Sequence, residues 1–282
     1  MQLTNRRFFG LLGEIVDGNP TQEMMEAAFA AADLPWSYIS IPVSMGSFTD
    51  AFEATRQLGF AGLHITKPYK IDAVAAVDDV SPTAAKIGAV NCVYRSSDRL
   101  VGDNTDGRGL INALAGTCAV DRASVVVLGA GGAARAIAVE LGSAGAREIT
   151  VVNRTEAAGR SLVDALKGAV DSECHFEPWV GEFTVPAHVD LVVNGTSIGM
   201  LDPNEIPDVD LSLLGPDAVV ADAVIAPRET AILADASERG LRTVVGAEML
   251  VKQAAISFDL WTGQAADETA LREALDESLL AP

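Results

Sequence analysis

The chain has 282 residues, a formal net charge of −19 and 49% hydrophobic residues. That length holds one large domain or two smaller ones, and no apolar run reaches the length of a membrane span. The acidity argues against nucleic acid and anionic membrane surfaces as partners.

Cys92, Cys118 and Cys174 are an odd, widely spaced set. They read as reduced thiols of a cytoplasmic protein. His64, His175 and His188 form no HxxH or HExxH pattern, so no metal site is expected. Met1 to Gly10 sets Arg6 and Arg7 before a very short apolar run. It lacks the hydrophobic region and cleavage site of a signal peptide.

Arg7 to Gly13 reads as a strand, and a helix follows with Pro20 early in it and a Met/Ala/Phe face through Ala32. Trp36 to Val43 alternates like a strand, Gly46 to Leu58 has helical periodicity, and Gly62 to Thr66 is a third strand. This βαβαβ order implies a mainly parallel sheet. His64-Ile-Thr-Lys-Pro-Tyr-Lys70 lies at the end of the third strand, where ligand groups of open α/β sheets tend to sit. Pro68 is placed to start the next helix, with Lys67 and Lys70 in its first turn. The helix dipole disfavours cations there, which suits an acid/base lysine. Two solvated lysines are the plainer alternative.

Gly88 to Arg95 and Leu100 to Asp106 flank a polar Ser-Ser-Asp and suggest a hairpin. Asn91 sits in its first run. Asp106 closes the second and could cap a helix from Gly107 to Ala115.

Val125 to Leu128 is β-branched and apolar, and it runs into Gly129-Ala-Gly-Gly-Ala133 and an Ala-rich segment. This reads as strand, tight turn and helix start, with G-x-G-x-x-A at Gly129, Gly131 and Ala134. Gly129 permits the turn, Gly131 admits a pyrophosphate to the backbone, and Ala134 lets helix and strand pack closely. The first-turn N–H groups of the helix would then face the phosphates. A second strand, Glu148 to Asn153, arrives after one helix length, as a βαβ unit requires. It ends in Asn153-Arg154-Thr155 rather than the Asp or Glu that binds a ribose 2′-hydroxyl. An amide, a guanidinium and a hydroxyl can bind a 2′-phosphate, so the cofactor reads as NADP. Arg135 and Arg160 add positive charge close by. Asn153 or Thr155 could also be a helix N-cap, and both roles are compatible.

Val189 to Asn194 is a further strand ending in the small polar loop Gly195 to Met200. Ala218 to Asp222 is another strand, Thr230 to Gly240 a helix, and Thr243 to Val245 a short strand. Gly246 opens a long apolar helix, and Asp267 to Leu280 is an amphipathic one.

Six segments in order resemble the shikimate dehydrogenase family. His64-Ile-Thr-Lys-Pro-Tyr-Lys70 is similar to its Asn-Val-Thr-x-Pro-x-Lys, and Gly88-Ala-Val-Asn91 to its Gly-Ala-Val-Asn. Gly102-Asp-Asn-Thr-Asp106 with Gly109 resembles its Gly-x-Asn-Thr-Asp-x-x-Gly, and Asn153-Arg-Thr155 its NADP motif. Asn194-Gly-Thr-Ser-Ile-Gly-Met200 and Met249-Leu-Val-Lys-Gln253-Ala are similar to the last two.

The resemblance implies an α/β protein of two domains. Residues 1–105 with 247–282 would bind substrate, and a Rossmann-type domain of residues 106–246 would bind NADP. The implied activity is NADP-dependent interconversion of 3-dehydroshikimate and shikimate or a close cyclic hydroxy acid. Quinate- or aminoshikimate-type relatives are the alternative, and a non-catalytic nucleotide-binding regulator is a further one. The partner is a small molecule, and the protein a monomer or homodimer. Lys70 and Asp106 become the catalytic pair. Asn19, Thr21, His64, Thr66, Asn91 and Gln253 would hold substrate. Gly129, Ala130, Gly131, Gly132, Ala133, Asn153, Arg154, Thr155, Thr196, Gly246 and Met249 would hold the cofactor. The departures concentrate in one place. The Ser-x-Ser that binds the substrate carboxylate aligns with Asn19-Pro20-Thr21, the motif Asn is His64, and a usual Tyr is Ile225. The chemistry is retained while carboxylate and ring recognition are altered.

Overall fold

The computed structural model describes residues 6–280, so the first half of the segment examined for a signal peptide lies outside the described residues. The chain divides into two units, Met1–Thr105 with Val251–Pro282, and Asp106–Leu250.

The first unit contains β1 (Phe8–Gly13), α1 (Thr21–Ala31), β2 (Ser37–Pro42), α2 (Phe48–Gln57), β3 (Gly62–Ile65) and α3 (Asp72–Ala76). It continues through β4 (Asp79–Val80), α4 (Pro82–Ile87), β5 (Cys92–Ser96) and β6 (Arg99–Asp103). The sheet order is β2-β1-β3-β5-β6-β4. Strand β1 is parallel to β2 and β3, as the βαβαβ pattern predicts. Strands β5 and β6 form the expected antiparallel hairpin, and β5 also runs antiparallel to β3. One sheet face buries Leu12, Phe48, Phe52, Leu63, Ile65 and Tyr69.

One sequence expectation fails here. Pro68 does not start a helix: α3 begins at Asp72 with Ile71 before it. Residues 66–70 form a turn instead, because Tyr69 is driven into the core. The Tyr69 N–H donates to Thr66 O at 3.0 Å and its hydroxyl to Val43 O at 2.7 Å. Lys67 and Lys70 therefore precede the helix, and the dipole argument for them does not apply. The helix α4 was not foreseen, although its local signals are plain. The Ser81 hydroxyl accepts from the Ala84 N–H, Pro82 stands at the first position, and Gly88 ends the helix at φ 73°.

The second unit contains α5 (Asp106–Leu114), β7 (Ser124–Leu128), α6 (Gly132–Ser143), β8 (Glu148–Asn153), α7 (Glu156–Lys167) and β9 (Glu173–Pro178). Then come β10 (Phe183–Thr184), β11 (Leu191–Asn194), β12 (Val209–Asp210), β13 (Val219–Asp222), α8 (Ala231–Glu238) and β14 (Arg242–Val244). Its main sheet has the order β14-β13-β11-β7-β8-β9, with every pairing parallel. The central strands are buried end to end, which is why they read as continuous apolar runs. The chain builds outward from β7 in one direction and from β11 in the other. The switch point, where doubly wound sheets bind ligands, lies between those two strands.

Helix α9 (Gly246–Thr262) runs across the division, and α10 (Glu268–Leu280) packs on α1. No helix among the described residues is long and apolar enough to cross a membrane.

Candidate active site

In the second unit the glycine turn does what its sequence requires. Gly129 has φ 100°, and a Cβ there would also meet the Thr196 methyl at 2.9 Å. A Cβ on Gly195 would meet Ala134 at 2.9 Å, so the small residues bring α6 against the end of β11. A Cβ on Gly131 or Gly132 meets nothing within 4 Å. That open space lies over the first turn of α6, where N–H groups and the helix dipole favour an anion. Gly246 is also required, because a Cβ there would meet Val224 O at 2.2 Å. Met249 lies buried one turn on. These features fit a dinucleotide pyrophosphate.

At the end of β8 the Asn153 amide donates to Thr155 O at 2.9 Å. Thr155 occupies the N-cap position of α7, but its side chain makes no capping bond. Arg154 and Thr155 are exposed, which leaves them accessible to a 2′-phosphate. Arg160 is otherwise engaged. It pairs with Glu156 at 2.8 Å and lies 5.3 Å over the Phe176 ring.

In the first unit the substrate candidates form two groups. Asn91 and Gln253 meet in a buried polar cluster. The Asn91 amide donates to Thr105 Oγ1 at 3.0 Å and to Gln253 Oε1 at 3.4 Å, and Asn91 Oδ1 accepts from the Thr105 N–H at 2.8 Å. Thr105 Oγ1 lies 3.0 Å from Gln253 Oε1 and 3.3 Å from Ser257 Oγ. Thr105 and Ser257 were missed in the sequence. Ser257 could have been found by helix period, one turn from Gln253.

The second group is centred on β3 and the start of α1. His64 is buried, its Nδ1 lies 2.8 Å from the Tyr38 hydroxyl, and its ring sits 4.7 Å from Trp261. Burial pushes the Tyr38 phenol well above its ordinary range, so it stays neutral. Trp261 reaches this place because residue 62 is glycine: a Cβ there would lie 2.4 Å from the indole nitrogen. Thr66 follows β3, and its methyl fills the space beside Gly13. Asn19 is half-buried, and its Oδ1 accepts from the Thr21 N–H at 3.0 Å. Thr21 is buried at the first position of α1.

Lys70 is half-buried in the turn after β3, and its carbonyl accepts from the Val90 N–H at 2.8 Å. Asp106 is the first residue of α5 rather than its flanking cap. The two belong to different units. Among the described residues no group of three or more His, Cys, Asp or Glu is placed to hold a metal ion.

A doubly wound parallel sheet with an open glycine turn at a helix start, joined to a second α/β unit carrying a buried cluster of amides and hydroxyls, fits the dinucleotide-dependent oxidoreductase class. Comparisons narrow it. Residues 11–93 match the shikimate dehydrogenase substrate binding domain, 113–197 match shikimate/quinate 5-dehydrogenase, and 246–275 match the shikimate 5′-dehydrogenase C-terminal domain. The chain is 35% identical to shikimate dehydrogenase (NADP(+)) of Geobacillus kaustophilus, covering 97% of this chain and 99% of that one. The chain belongs to the shikimate dehydrogenase family. Among solved structures it is similar to ligand-free 5-ketofructose reductase of Gluconobacter sp. strain CHM43. The TM-score is 0.93 and the identity 35%, over 96% of this chain and 98% of that one. It is also similar to Thermus thermophilus shikimate 5-dehydrogenase in complex with NADP(H) and shikimate. There the TM-score is 0.85 and the identity 32%, over 97% of this chain and 100% of that one.

Proposed function

We propose that the chain interconverts 3-dehydroshikimate and shikimate, or a close cyclic hydroxy acid, by NADP-dependent hydride transfer. The observation that carries this reading is the buried Asn91–Thr105–Gln253 cluster, set in a chain that keeps the family's Lys70 and Asp106. Buried amides and hydroxyls of this kind suit ring hydroxyls and reject analogues that leave them unpaired.

The dinucleotide supplies a hydride when bound. The remaining work falls to the chain. Gly129 to Ala133 cradle the pyrophosphate, and Asn153, Arg154 and Thr155 take the 2′-phosphate. Hydride addition leaves negative charge on the former carbonyl oxygen. The Lys70 ammonium stabilises that charge and delivers the proton that completes the alcohol. The Asp106 carboxylate accepts a hydrogen bond from a substrate hydroxyl. Thr66, Asn91 and Gln253 hold the ring. The protein works as a cytoplasmic monomer or homodimer.

A second reading is favoured by one corner of the first unit. Asn19, with its oxygen committed to the Thr21 N–H, and Thr21 stand where the family has its carboxylate-binding serines. No Lys or Arg occurs from Phe8 to Thr55, while Glu14 and Asp17 sit on the loop before Asn19. An uncharged polyhydroxy ketone suits that corner better than an anion, and 5-ketofructose reductase is among the similar structures.

Steady-state assays decide between them. NADP+ with shikimate and quinate tests the first reading, and NADPH with 5-ketofructose tests the second. Turnover confined to the acids supports the first. Turnover confined to the neutral ketone replaces it with the second. A folded, NADPH-binding protein that turns over neither class overturns both.

A further inference from the structure

The carboxylate of Asp222 is wholly buried at the end of β13 and has no part in the chemistry above. It accepts from three donors at once. Its Oδ1 takes the Asn194 amide at 3.0 Å and the Val224 N–H at 2.8 Å. Its Oδ2 takes the Thr230 hydroxyl at 2.7 Å, at the residue that precedes α8. Burial holds the carboxyl above its ordinary range, and these donors offset only part of that rise.

The network continues toward the glycine turn. Asn194 Oδ1 accepts from the Thr196 N–H at 3.1 Å and the Thr196 hydroxyl at 2.6 Å. The same hydroxyl accepts from the Ile198 N–H at 3.1 Å. The Thr196 methyl is the group a Cβ on Gly129 would strike. On the other side, Val224 is the residue whose carbonyl lies against Gly246. Leu128, Asn194 and Asp222 stand in register at the ends of β7, β11 and β13. One buried charge thus ties the loops after β11 and β13 to each other and to the cradle.

The topology says which half of the ligand those loops serve. A dinucleotide lies across the switch point, one nucleotide on each side. The β8 side carries Asn153, Arg154 and Thr155 and takes the adenosine 2′-phosphate. The β11–β13 side takes the nicotinamide nucleotide.

We propose that Asp222 is a positioning residue for the nicotinamide half of the dinucleotide, acting through Asn194 on Thr196 and through the Val224 amide on the Gly246 segment. This rests on the reading of the second unit as an NADP site.

The test compares two probes on the full chain. NADPH spans both halves, and 2′,5′-ADP occupies the adenosine half alone. Asp222→Ala should weaken NADPH by on the order of ten- to a hundredfold, the scale of one lost hydrogen bond to a charged group. The 2′,5′-ADP affinity should stay within about twofold of wild type, a shift under half a kcal/mol. Asp222→Asn keeps an acceptor for Asn194 and Val224 and should recover most of the NADPH affinity. Thr230→Val conserves shape and removes a single donor, so it covers the case in which Asp222→Ala does not fold. It should lower NADPH affinity in the same selective way, by a smaller factor. Equal weakening of both probes, or unchanged NADPH affinity in folded Asp222→Ala and Thr230→Val, overturns the proposal. A wild-type chain that binds neither probe overturns the dinucleotide reading and the proposal with it.

Discussion

The Tyr38 hydroxyl and His64 Nδ1 lie 2.8 Å apart, although β1 separates their strands. Both side chains are buried, and the imidazole also packs on Trp261. Tyr38→Phe removes one hydrogen-bond partner of a buried ring without opening a cavity. The loss of one such hydrogen bond costs about 0.5–1.5 kcal/mol. The variant should therefore unfold at lower denaturant, and its substrate KM should rise more than its kcat falls. Chemical denaturation with initial-rate kinetics checks both, and an unchanged KM removes His64 from substrate recognition.

Lys70→Ala changes a residue of the first unit. It should lower kcat by on the order of 10²–10⁴, the usual span of general acid–base catalysis. NADPH affinity, read by fluorescence titration, should hardly change. Loss of cofactor binding would show that the lysine has been given the wrong role.

The second unit was the more legible part of the chain, for physical reasons. Its central strands β7, β11 and β13 are buried on both faces, so they stand out as apolar runs. Its glycines are required by backbone geometry, as at Gly129 with φ 100°. The edge strand β9 was not foreseen, because Glu173 to Pro178 mixes charges, a histidine and a proline. In the first unit Pro68 suggested a helix start, but the burial of Tyr69 won and made a turn. The site clusters were half legible. Asn91, Thr105 and Gln253 all sit in family motifs, although the role of Thr105 was not read from its motif, and Tyr38 meets His64 only through a contact distant in sequence. Asp222 was visible only as the end of a strand, since nothing local reveals three donors converging on it.

Asp78 gives a pH-dependent prediction. The Arg56 guanidinium donates to it at 2.8 Å and the Leu100 N–H at 2.7 Å, which hold its carboxyl below the usual range. A carboxyl lowered in the folded state contributes stability that is present above its unfolded pKa and lost as pH falls through the folded one. Asp78→Asn should therefore melt below wild type at pH 7. The difference should shrink once the pH drops below about 4, near the ordinary Asp value. A pH-independent gap in melting temperature would assign the effect to the backbone contact instead of the charge.

Arg154 and Arg160 separate a cofactor contact from a surface ion pair. Both follow β8 and both were plausible sources of positive charge in the sequence. Arg160 is held by Glu156 at 2.8 Å and lies over Phe176, whereas Arg154 is exposed at the strand end. Arg154→Ala should therefore weaken NADPH by on the order of ten- to a hundredfold, the value of a hydrogen bond to a charged group. It should leave NADH unchanged, because NADH has no 2′-phosphate to lose. Arg160→Ala should alter neither, since an exposed i,i+4 pair contributes only about 0.3–0.5 kcal/mol to the helix. Titration of both variants with both cofactors reads the four affinities. Equal loss of NADPH and NADH in Arg154→Ala would move the 2′-phosphate contact elsewhere on the turn, to Asn153 or Thr155.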